Sequence, residues 1–374
     1  MSVPFLDLSR QSPQLREEIR QAVEEVLESQ RFILGPPVER LERELATLCR
    51  VSHAVGVASG TDALLLGLQA LGVGPGDEVV TTPFSFFATA SCVVRLGARP
   101  IFADIDDATF TMDPQALARA ATSKVKALLP VHLFGQCADV EGLSAAAEVA
   151  AGRRLAVVED AAQAIGARRH GAPAGSLGRV GCFSFYPTKN LGGAGDGGMI
   201  VTDEESLARV IRLLRGHGDS GRYHHTDLGI NSRLDSLQAA ILLVKLGRLE
   251  AWNEARRKLA ARYGRSLTDI GSGDLILPRT APGNLHTYHQ YVVRSGRRDE
   301  LRRHLEAAGI GAAVYYPTPL HLQPCFASLG YRAGDFPKAE AACREVLALP
   351  IYPELTESEQ DRVAETVAAF YRRG

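Results

Sequence analysis

The sequence predicts an α/β fold, with a large domain built on a mostly parallel central sheet flanked by helices and a smaller C-terminal α+β domain. Short apolar runs alternate with helical patterns up to about residue 250 of the 374-residue chain. These runs are continuously apolar, which is typical of strands buried on both faces of a parallel sheet. The alternation stops near residue 250, so we expect domains over residues 1–249 and 250–374.

The large domain is predicted to begin with a helix and to continue as strand and helix pairs. In "SPQLREEIRQAVEEVLESQ", Ser12 is the expected N-cap and Pro13 the first helical residue. The pairs that follow are "AVGVAS" with "GTDALLLGLQAL", "GPGDEVVTT" with "PFSFFATASCVVRLG", "RPIFADI" with "DPQALARAA", and "KALLPVHL" with "DVEGLSAAAEVA". "LAVVEDAA" adds a strand, and "GMIVTD" is a further strand candidate.

The smaller domain is predicted from a mixed pattern. "YHQYVVRS" is strand-like, "RRDELRRHLEAAG" is helix-like, "AAVYYPTPLH" follows them, and the chain ends on a helical pattern.

Composition and charge limit the partners. A formal net charge of -1 gives no general attraction to nucleic acid or anionic membranes, and no apolar run is long enough to span a bilayer. "MSVPFLDLSRQ" lacks the basic start and apolar middle of a signal peptide, so we expect a cytoplasmic protein. The six scattered cysteines contain no CxxC pair, and His217, His224 and His225 lack metal-ligand spacing, so we expect reduced thiols and no metal.

Lys189 is the first candidate catalytic residue. It follows the strand-like "VGCFSFY" at the most glycine-rich corner of the chain. Burial there lowers the pKa of a lysine and frees its amine to form a Schiff base with an aldehyde, although a solvated surface lysine is the alternative. The other lysines, among them Lys245, have the pattern of solvated residues.

The glycines beside Lys189 do not indicate a dinucleotide site. Gly193, Gly195 and Gly198 match G-x-G-x-x-G, but they precede a strand, whereas the nucleotide-binding motif follows a strand and opens a helix. A flexible turn is the better interpretation.

Two further motifs complete a cofactor site. Asp160 ends the strand "LAVV" in "VVEDAAQA", where it can cap a turn or pair with a pyridinium nitrogen, and Gln163 can donate to a phenolic oxygen. Gly60 and Thr61 stand between a strand and a helix, as an ordinary cap or as a phosphate site at the positive helix end. A lysine, an aspartate and a phosphate site together indicate pyridoxal 5′-phosphate (PLP).

The sequence resembles the nucleotide-sugar aminotransferases of the DegT/StrS group, which have the PLP-dependent transferase type I fold of aspartate aminotransferase. The resemblance extends over nearly the whole chain. It rests on "PFLDL", "FILGP", "SGTDAL", "GDEVV", "SFFATA", "VHLFGQ", "EDAAQAIGA", "FSFYPTKNLG", "NSRLDSLQAAIL" and "YPTPLH". Ser85 stands where many relatives have threonine.

The resemblance implies a role for each site residue. The implied roles are the Schiff-base lysine and proton shuttle for Lys189, the pyridinium partner for Asp160, the O3′ contact for Gln163, ring stacking for Phe86, phosphate binding for Gly60, Thr61 and Ser184, and contact with the neighbouring subunit's phosphate for Asn231. The last role implies a homodimer with shared sites. A core phenylalanine is the alternative for Phe86.

The implied reaction is transfer of an amino group from L-glutamate to a keto group, at C3 or C4, of a nucleotide-linked deoxy- or keto-hexose. Relatives that carry histidine in place of the lysine deoxygenate instead, so Lys189 favours transamination, and "SGTDAL" and "YPTPLH" favour C3. Arg233 and His321 are candidates for contacting the sugar or the donor carboxylate, with surface or interface positions as the alternative. A cyclitol aminotransferase acting on a scyllo-inosose-type ketone and a PLP-holding regulator without turnover remain as alternative functions.

Overall fold

The computed structural model describes residues 2–268, 270 and 273–372 of the chain. In this part the α-helices are, in order, α1 Pro13–Ser29, α2 Pro36–Cys49, α3 Gly60–Ala70, α4 Phe87–Arg95, α5 Pro114–Ala120, α6 Val140–Ala151, α7 Glu205–Arg215, α8 Ser236–Leu246, α9 Leu249–Leu267, α10 Arg298–Ala307, α11 Pro337–Glu345 and α12 Glu357–Arg372. The strands are β1 His53–Val57, β2 Glu78–Thr81, β3 Arg99–Phe102, β4 Val125–Leu128, β5 Ala156–Asp160, β6 Arg168–Arg169, β7 Ala172–Pro173, β8 Val180–Ser184, β9 Gly198–Thr202, β10 Leu275–Ile276, β11 Asn284–Leu285, β12 Tyr291–Ser295 and β13 Val346–Leu349.

A central sheet confirms the predicted α/β class. Within the described residues it has seven strands in the order β1-β9-β8-β5-β4-β2-β3. β9 is antiparallel to both of its neighbours, and all the other pairs are parallel. The predicted strand "GMIVTD" is thus β9, and the glycines before it form a loop without a helix, as expected of a turn.

Helices cover both faces of this sheet, which explains why its strands are continuously apolar. In β9, Met199 and Val201 pack in the cluster that contains residues of α2 and α8. Ile200, between them, points to the opposite face and packs with residues of α3 and α7.

The predicted start of the chain is confirmed in detail. Pro13 begins α1, and the Ser12 Oγ accepts a hydrogen bond of 3.1 Å from the Leu15 N–H. This cap satisfies one of the N–H groups that the first helical turn leaves without a partner.

The C-terminal part has its own core around the antiparallel sheet β10-β12-β13, with α10 and α12 packed against it. The first residues of the chain also lie in this core: the Val3 N–H donates to the Gly309 carbonyl at 2.9 Å, and the Val3 carbonyl accepts from the Gly311 N–H at 2.9 Å. The boundary between residues 249 and 250 stays a prediction.

No helix in the described residues is both long enough and apolar enough to cross a membrane.

The sheet topology brings several loops to one edge. β1 and β8 are each antiparallel to β9, so they are parallel to each other and to β5 and β2. The carboxyl ends of these four strands, followed by residues 58–60, 185–189, 161–163 and 82–86, therefore lie at the same edge, where parallel sheets bind ligands.

A buried carboxylate fixes the end of β5. Glu159 is fully buried and accepts hydrogen bonds of 2.7 Å from His132 Nε2, from the Gly175 N–H and from the Gly178 N–H. His132 Nδ1 accepts the Ala138 N–H at 3.0 Å, so the imidazole proton lies on Nε2 and is donated to Glu159. Because all three neighbouring groups are donors, this position requires a side chain with two oxygens that both accept hydrogen bonds.

Glu159→Gln tests this requirement. The amide NH₂ would face an N–H donor, so we expect the free energy of unfolding to fall by about 2–4 kcal/mol, as measured by chemical denaturation. Glu148→Gln, on the exposed surface of α6, is the matched control and should change it by less than about 0.5 kcal/mol. Equal effects of the two variants would contradict the prediction.

Candidate active site

The start of α3 is placed as a phosphate site requires. Ser59, rather than Gly60 or Thr61, is the N-cap, and its Oγ accepts the Asp62 N–H at 3.1 Å. The N–H groups of Gly60 and Thr61 belong to the first turn and have no acceptor within the helix. A Cβ on Gly60 would lie 2.6 Å from the Ser184 Cβ, so the helix start lies directly against the end of β8. The structure thus brings together the residues predicted to bind the phosphate.

Lys189 lies in the turn that follows β8. Its backbone N–H donates to the Tyr186 carbonyl at 2.8 Å. Burial lowers the pKa of Lys189 to about 8, while the negative charge of Asp160 acts in the opposite direction. A large fraction of the amine is therefore neutral at mildly alkaline pH, as its predicted role requires.

A buried polar network that the sequence did not indicate anchors the residue after this lysine. The Asn190 side-chain amide donates to Asn253 Oδ1 at 2.7 Å and to the Thr287 carbonyl at 3.3 Å, and its Oδ1 pairs with His289 Nδ1 at 3.0 Å. Burial, followed by the charges of Lys189 and Arg256, holds the pKa of His289 well below its usual value. His289 is therefore neutral and donates its Nδ1 proton to Asn190.

Lys245 corrects a sequence expectation. It was predicted to be solvated, but it is buried, and its Nζ donates to the Gly192 carbonyl at 2.7 Å. It lies on α8, so this contact ties the turn that carries Lys189 to that helix. The apolar residues around Lys245 in α8 were the available signal for its burial.

Asp160 ends β5 and is 5% exposed. Its Oδ2 accepts the Thr89 hydroxyl at 2.8 Å, and its Oδ1 accepts the Ala162 N–H at 3.3 Å. The hydrogen bond from the Ala162 N–H is the turn cap that was the alternative role for Asp160. It uses Oδ1 only. Burial raises the pKa of Asp160, whereas both hydrogen bonds and the positive charge of Lys189 lower it.

Gln163 and Phe86 face Tyr316, a residue that the sequence analysis did not single out. Gln163 Oε1 accepts the Phe134 N–H at 2.8 Å, which directs its Nε2 to the Tyr316 hydroxyl at 3.1 Å. Phe86 is 57% exposed, so the core alternative is wrong, and its ring centroid lies 6.3 Å from that of Tyr316. Tyr316 lies within "YPTPLH", and that motif was the available signal for it.

Asn231 and Arg233 flank Ser232, whose hydroxyl donates to Asp62 Oδ2 at 2.7 Å and accepts the Ala58 N–H at 3.1 Å. Asn231 is exposed. The Arg233 Nε is buried and has no hydrogen-bond partner among the described residues. This three-residue segment therefore lies against the start of α3.

His321 is buried, with only 2% of its surface exposed, so a surface position is wrong for it. Its Nε2 lies 3.2 Å from Glu340 Oε1, and its ring packs edge-on against Phe336 with centroids 4.7 Å apart. Its Nδ1 is buried and has no hydrogen-bond partner among the described residues, and the substrate role of His321 stays a prediction.

These residues fit PLP. The cradle at Gly60 leaves backbone N–H groups for a phosphate, Asp160 is a buried acceptor for a protonated ring nitrogen, and Lys189 is an amine with a lowered pKa. In the described residues, no group of three or more histidine, cysteine, aspartate or glutamate side chains is arranged to hold a metal.

A comparison with known families decides the assignment. The model of the DegT/DnrJ/EryC1/StrS aminotransferase family matches residues 13–368. The chain belongs to this family. The predicted family and fold class are thereby confirmed.

Relatives of this aminotransferase align over nearly their whole length. The chain is 52% identical to the "Pleiotropic regulatory protein" of Geobacillus stearothermophilus, over 100% of this chain and 99% of the relative. It is 44% identical to the UDP-N-acetyl-3-dehydro-alpha-D-glucosamine 3-aminotransferase of Acidithiobacillus ferrooxidans, over 98% of this chain and 97% of the relative.

Solved structures agree with these relatives. S. venezuelae DesV, in complex with a ketimine intermediate, matches with a TM-score of 0.96 and 44% identity, over 100% of this chain and 99% of that chain. NtdA of Bacillus subtilis, with the bound cofactor PMP, matches with a TM-score of 0.92 and 34% identity, over 99% of this chain and 85% of that chain. The predictions of a sugar aminotransferase and of PLP as its cofactor are confirmed.

The lowered pKa of Lys189 predicts a pH dependence. Below about pH 8 the amine is mostly protonated and cannot attack an aldehyde, and above it the amine is mostly neutral. We expect the rate at which the apoprotein combines with PLP, followed by stopped-flow absorbance, to rise with pH to a midpoint near 8 and then level off.

Two observations check this prediction. Asp160→Asn removes the charge that favours the ammonium form, so its midpoint should lie at lower pH. A wild-type rate that keeps rising to about pH 10, as for an ordinary lysine, would show that burial does not lower the pKa of Lys189.

Proposed function

We propose that this aminotransferase moves an amino group from L-glutamate to the C3 keto group of a nucleotide-linked hexose. The observation that carries the proposal is the convergence of Lys189, Asp160 and the start of α3 at one edge of the sheet. Lysine at this position, in place of histidine, supports transamination over deoxygenation.

Each residue of the site has its own role in the proposed reaction. When bound, PLP supplies an aldehyde that condenses with amines and a ring that withdraws electrons. With PLP bound, the neutral Lys189 Nζ would carry a proton between the substrate carbon and the aldehyde carbon of the cofactor, and the Asp160 carboxylate would keep the ring nitrogen protonated. The first turn of α3 at Gly60 and Thr61 would bind the phosphate. Gln163 Nε2 donates one proton to the Tyr316 hydroxyl and has a second proton for the ring oxygen.

The C3 position is supported by the names of several relatives. The protein of A. ferrooxidans is named a 3-aminotransferase, and four further relatives that are 39–45% identical are named for 3-amino or 3-oxo sugars. Because these proteins align with nearly the whole chain, their shared position of amination is the best guide to the position used here.

A regulatory role is the second candidate. It is favoured by the name of the G. stearothermophilus relative, which is 52% identical to this chain. A regulator of this kind would bind PLP and give no spectral response to L-glutamate.

We further propose a cytoplasmic homodimer with shared active sites. Asn231 supports the shared site, because it is exposed and precedes Ser232, whose hydroxyl donates to Asp62 in the first turn of α3. The six cysteines, all of them described and unpaired, support a reducing compartment.

The substrate proposal is tested with a panel of UDP- and dTDP-linked 3-keto and 4-keto hexoses and [15N]-L-glutamate. We expect mass spectrometry to find a labelled amino sugar from the 3-keto substrates. We also expect L-glutamate alone to change the visible absorption spectrum of the bound cofactor, because it converts PLP to its amine form.

Lys189→Ala is the control and should abolish both results, because alanine offers no amine. Product from 4-keto substrates alone would refute C3, and product with a different donor alone would refute L-glutamate. A spectrum unchanged by any amino donor, without product, would favour the regulatory role.

The shared site predicts complementation between two damaged variants. Asn231→Asp places a negative charge against the phosphate and should weaken cofactor binding. A mixed dimer of Asn231→Asp and Lys189→Ala subunits contains one doubly damaged site and one intact site. We expect random mixing to restore about a quarter of the wild-type activity at limiting PLP, well above the sum of the two variants.

Differently tagged subunits show by co-purification that mixed dimers form. If they form and activity does not rise, Asn231 acts within its own chain or away from the phosphate, and the shared-site proposal fails.

A further inference from the structure

Two hydroxyl groups stand behind the carboxylate of Asp160. Ser85 Oγ lies 2.8 Å from Thr89 Oγ1, and Thr89 Oγ1 lies 2.8 Å from Asp160 Oδ2. Ser85 is 3% exposed, Thr89 0% and Asp160 5%, so the three side chains form a chain of hydrogen bonds shielded from water.

The direction of each hydrogen bond follows from the number of protons. An ionised carboxylate only accepts, so the single hydroxyl proton of Thr89 is donated to Asp160. Thr89 Oγ1 is then the acceptor in its contact with Ser85, and the Ser85 hydroxyl is the donor. Hydrogen bonds in such a chain polarise and strengthen one another.

The position of Thr89 on α4 explains why Ser85 matters. Thr89 lies in the first turn of α4, and Ser85 lies just outside the helix, one residue before the N-cap Phe86. The donation from the Ser85 hydroxyl occupies a lone pair of Thr89 and leaves its proton for Asp160. Through Thr89, the two hydrogen bonds together link the loop after β2 to the end of β5, although β4 separates these strands in the sheet.

Asp160 needs this support because of its surroundings. Burial favours the neutral acid, and the groups that oppose it are the Thr89 hydroxyl first, then the Ala162 N–H and Lys189. A neutral Asp160 cannot hold the proton of a pyridinium nitrogen.

We propose that Thr89, oriented by Ser85, is a positioning residue that keeps the Asp160 carboxylate ionised and directed at the ring nitrogen of the cofactor. The proposal rests on the role proposed above for Asp160. It gives the hydroxyl groups of Ser85 and Thr89 a function that is exerted through Asp160.

The test compares two probes that differ at the ring nitrogen alone. They are pyridoxamine 5′-phosphate and its 1-deaza analogue, in which carbon replaces that nitrogen, and neither needs a covalent bond to Lys189. Binding to the apoprotein is measured by quenching of the fluorescence of Trp252, the single tryptophan. The ratio of the two affinities reports the contact between Asp160 and the ring nitrogen.

Thr89→Val keeps the shape of the side chain and removes the hydroxyl, so we expect the ratio to fall about tenfold or more, as for loss of a hydrogen bond to a charged group. Thr89→Ser keeps the hydroxyl and should stay within about twofold of wild type. Ser85→Ala should lower the ratio by less than Thr89→Val does. Ser85→Thr keeps the hydroxyl, so its ratio should stay close to that of the wild type. Thermal unfolding of each apoprotein checks that it is folded, and if Thr89→Val does not fold, Ser85→Ala and Ser85→Thr decide.

Asp160→Asn separates the two levels of the proposal. If it lowers the ratio and Thr89→Val does not, the inference about Thr89 is wrong and the role of Asp160 stands. If Asp160→Asn leaves the ratio unchanged, the role of Asp160 itself fails. If Thr89→Val weakens binding of both probes equally, Thr89 serves packing alone and the inference is overturned.

Discussion

A carboxylate that must stay charged while it is buried is the constraint on which the rest of the site depends. Asp160 lies at the end of the central strand β5, where burial favours its neutral form. Hydrogen bonds from Thr89 and Ala162 and the positive charge of Lys189 oppose that effect. The same burial lowers the pKa of Lys189, and the charge of Asp160 limits how far it falls. The two charges therefore favour each other's ionised form, against the burial that has the larger effect on both pKa values.

The parallel sheet brings these groups together from distant parts of the sequence. The strands that end at Asp160 and Ser184 are neighbours, so the loops after them share one edge. The close contact between Gly60 and Ser184 adds the first turn of α3 to that edge. The C-terminal part also contributes to the site, because the Tyr316 hydroxyl accepts a hydrogen bond from the side-chain amide of Gln163. The site is thus a joint product of both parts of the chain.

Much of the buried polar structure fixes geometry around the reacting groups. Glu159, the residue before Asp160, accepts hydrogen bonds from His132 and from two N–H groups of the segment between β7 and β8. Asn190, the residue after Lys189, bonds to Asn253, Thr287 and His289. Each of the two residues that carry the chemistry thus has an anchored neighbour in sequence. Such anchoring restricts the motion of the reacting side chains, and positioning of this kind makes a large contribution to catalysis.

The sequence by itself determined the local elements and the cofactor. Continuous apolar strands, the N-cap at Ser12 and the residue types at Lys189, Asp160 and Gly60 are local signals, and they sufficed for the α/β class and for PLP. The contacts of Thr89, Lys245, Asn190 and Tyr316 were decided by the tertiary structure alone. Lys245 was expected to be solvated, because nothing in the neighbouring sequence shows that its side chain will bond to a carbonyl 53 residues earlier in the chain. A propensity or a cap depends on neighbours a few residues away, whereas a buried polar contact depends on which distant segments the fold brings together.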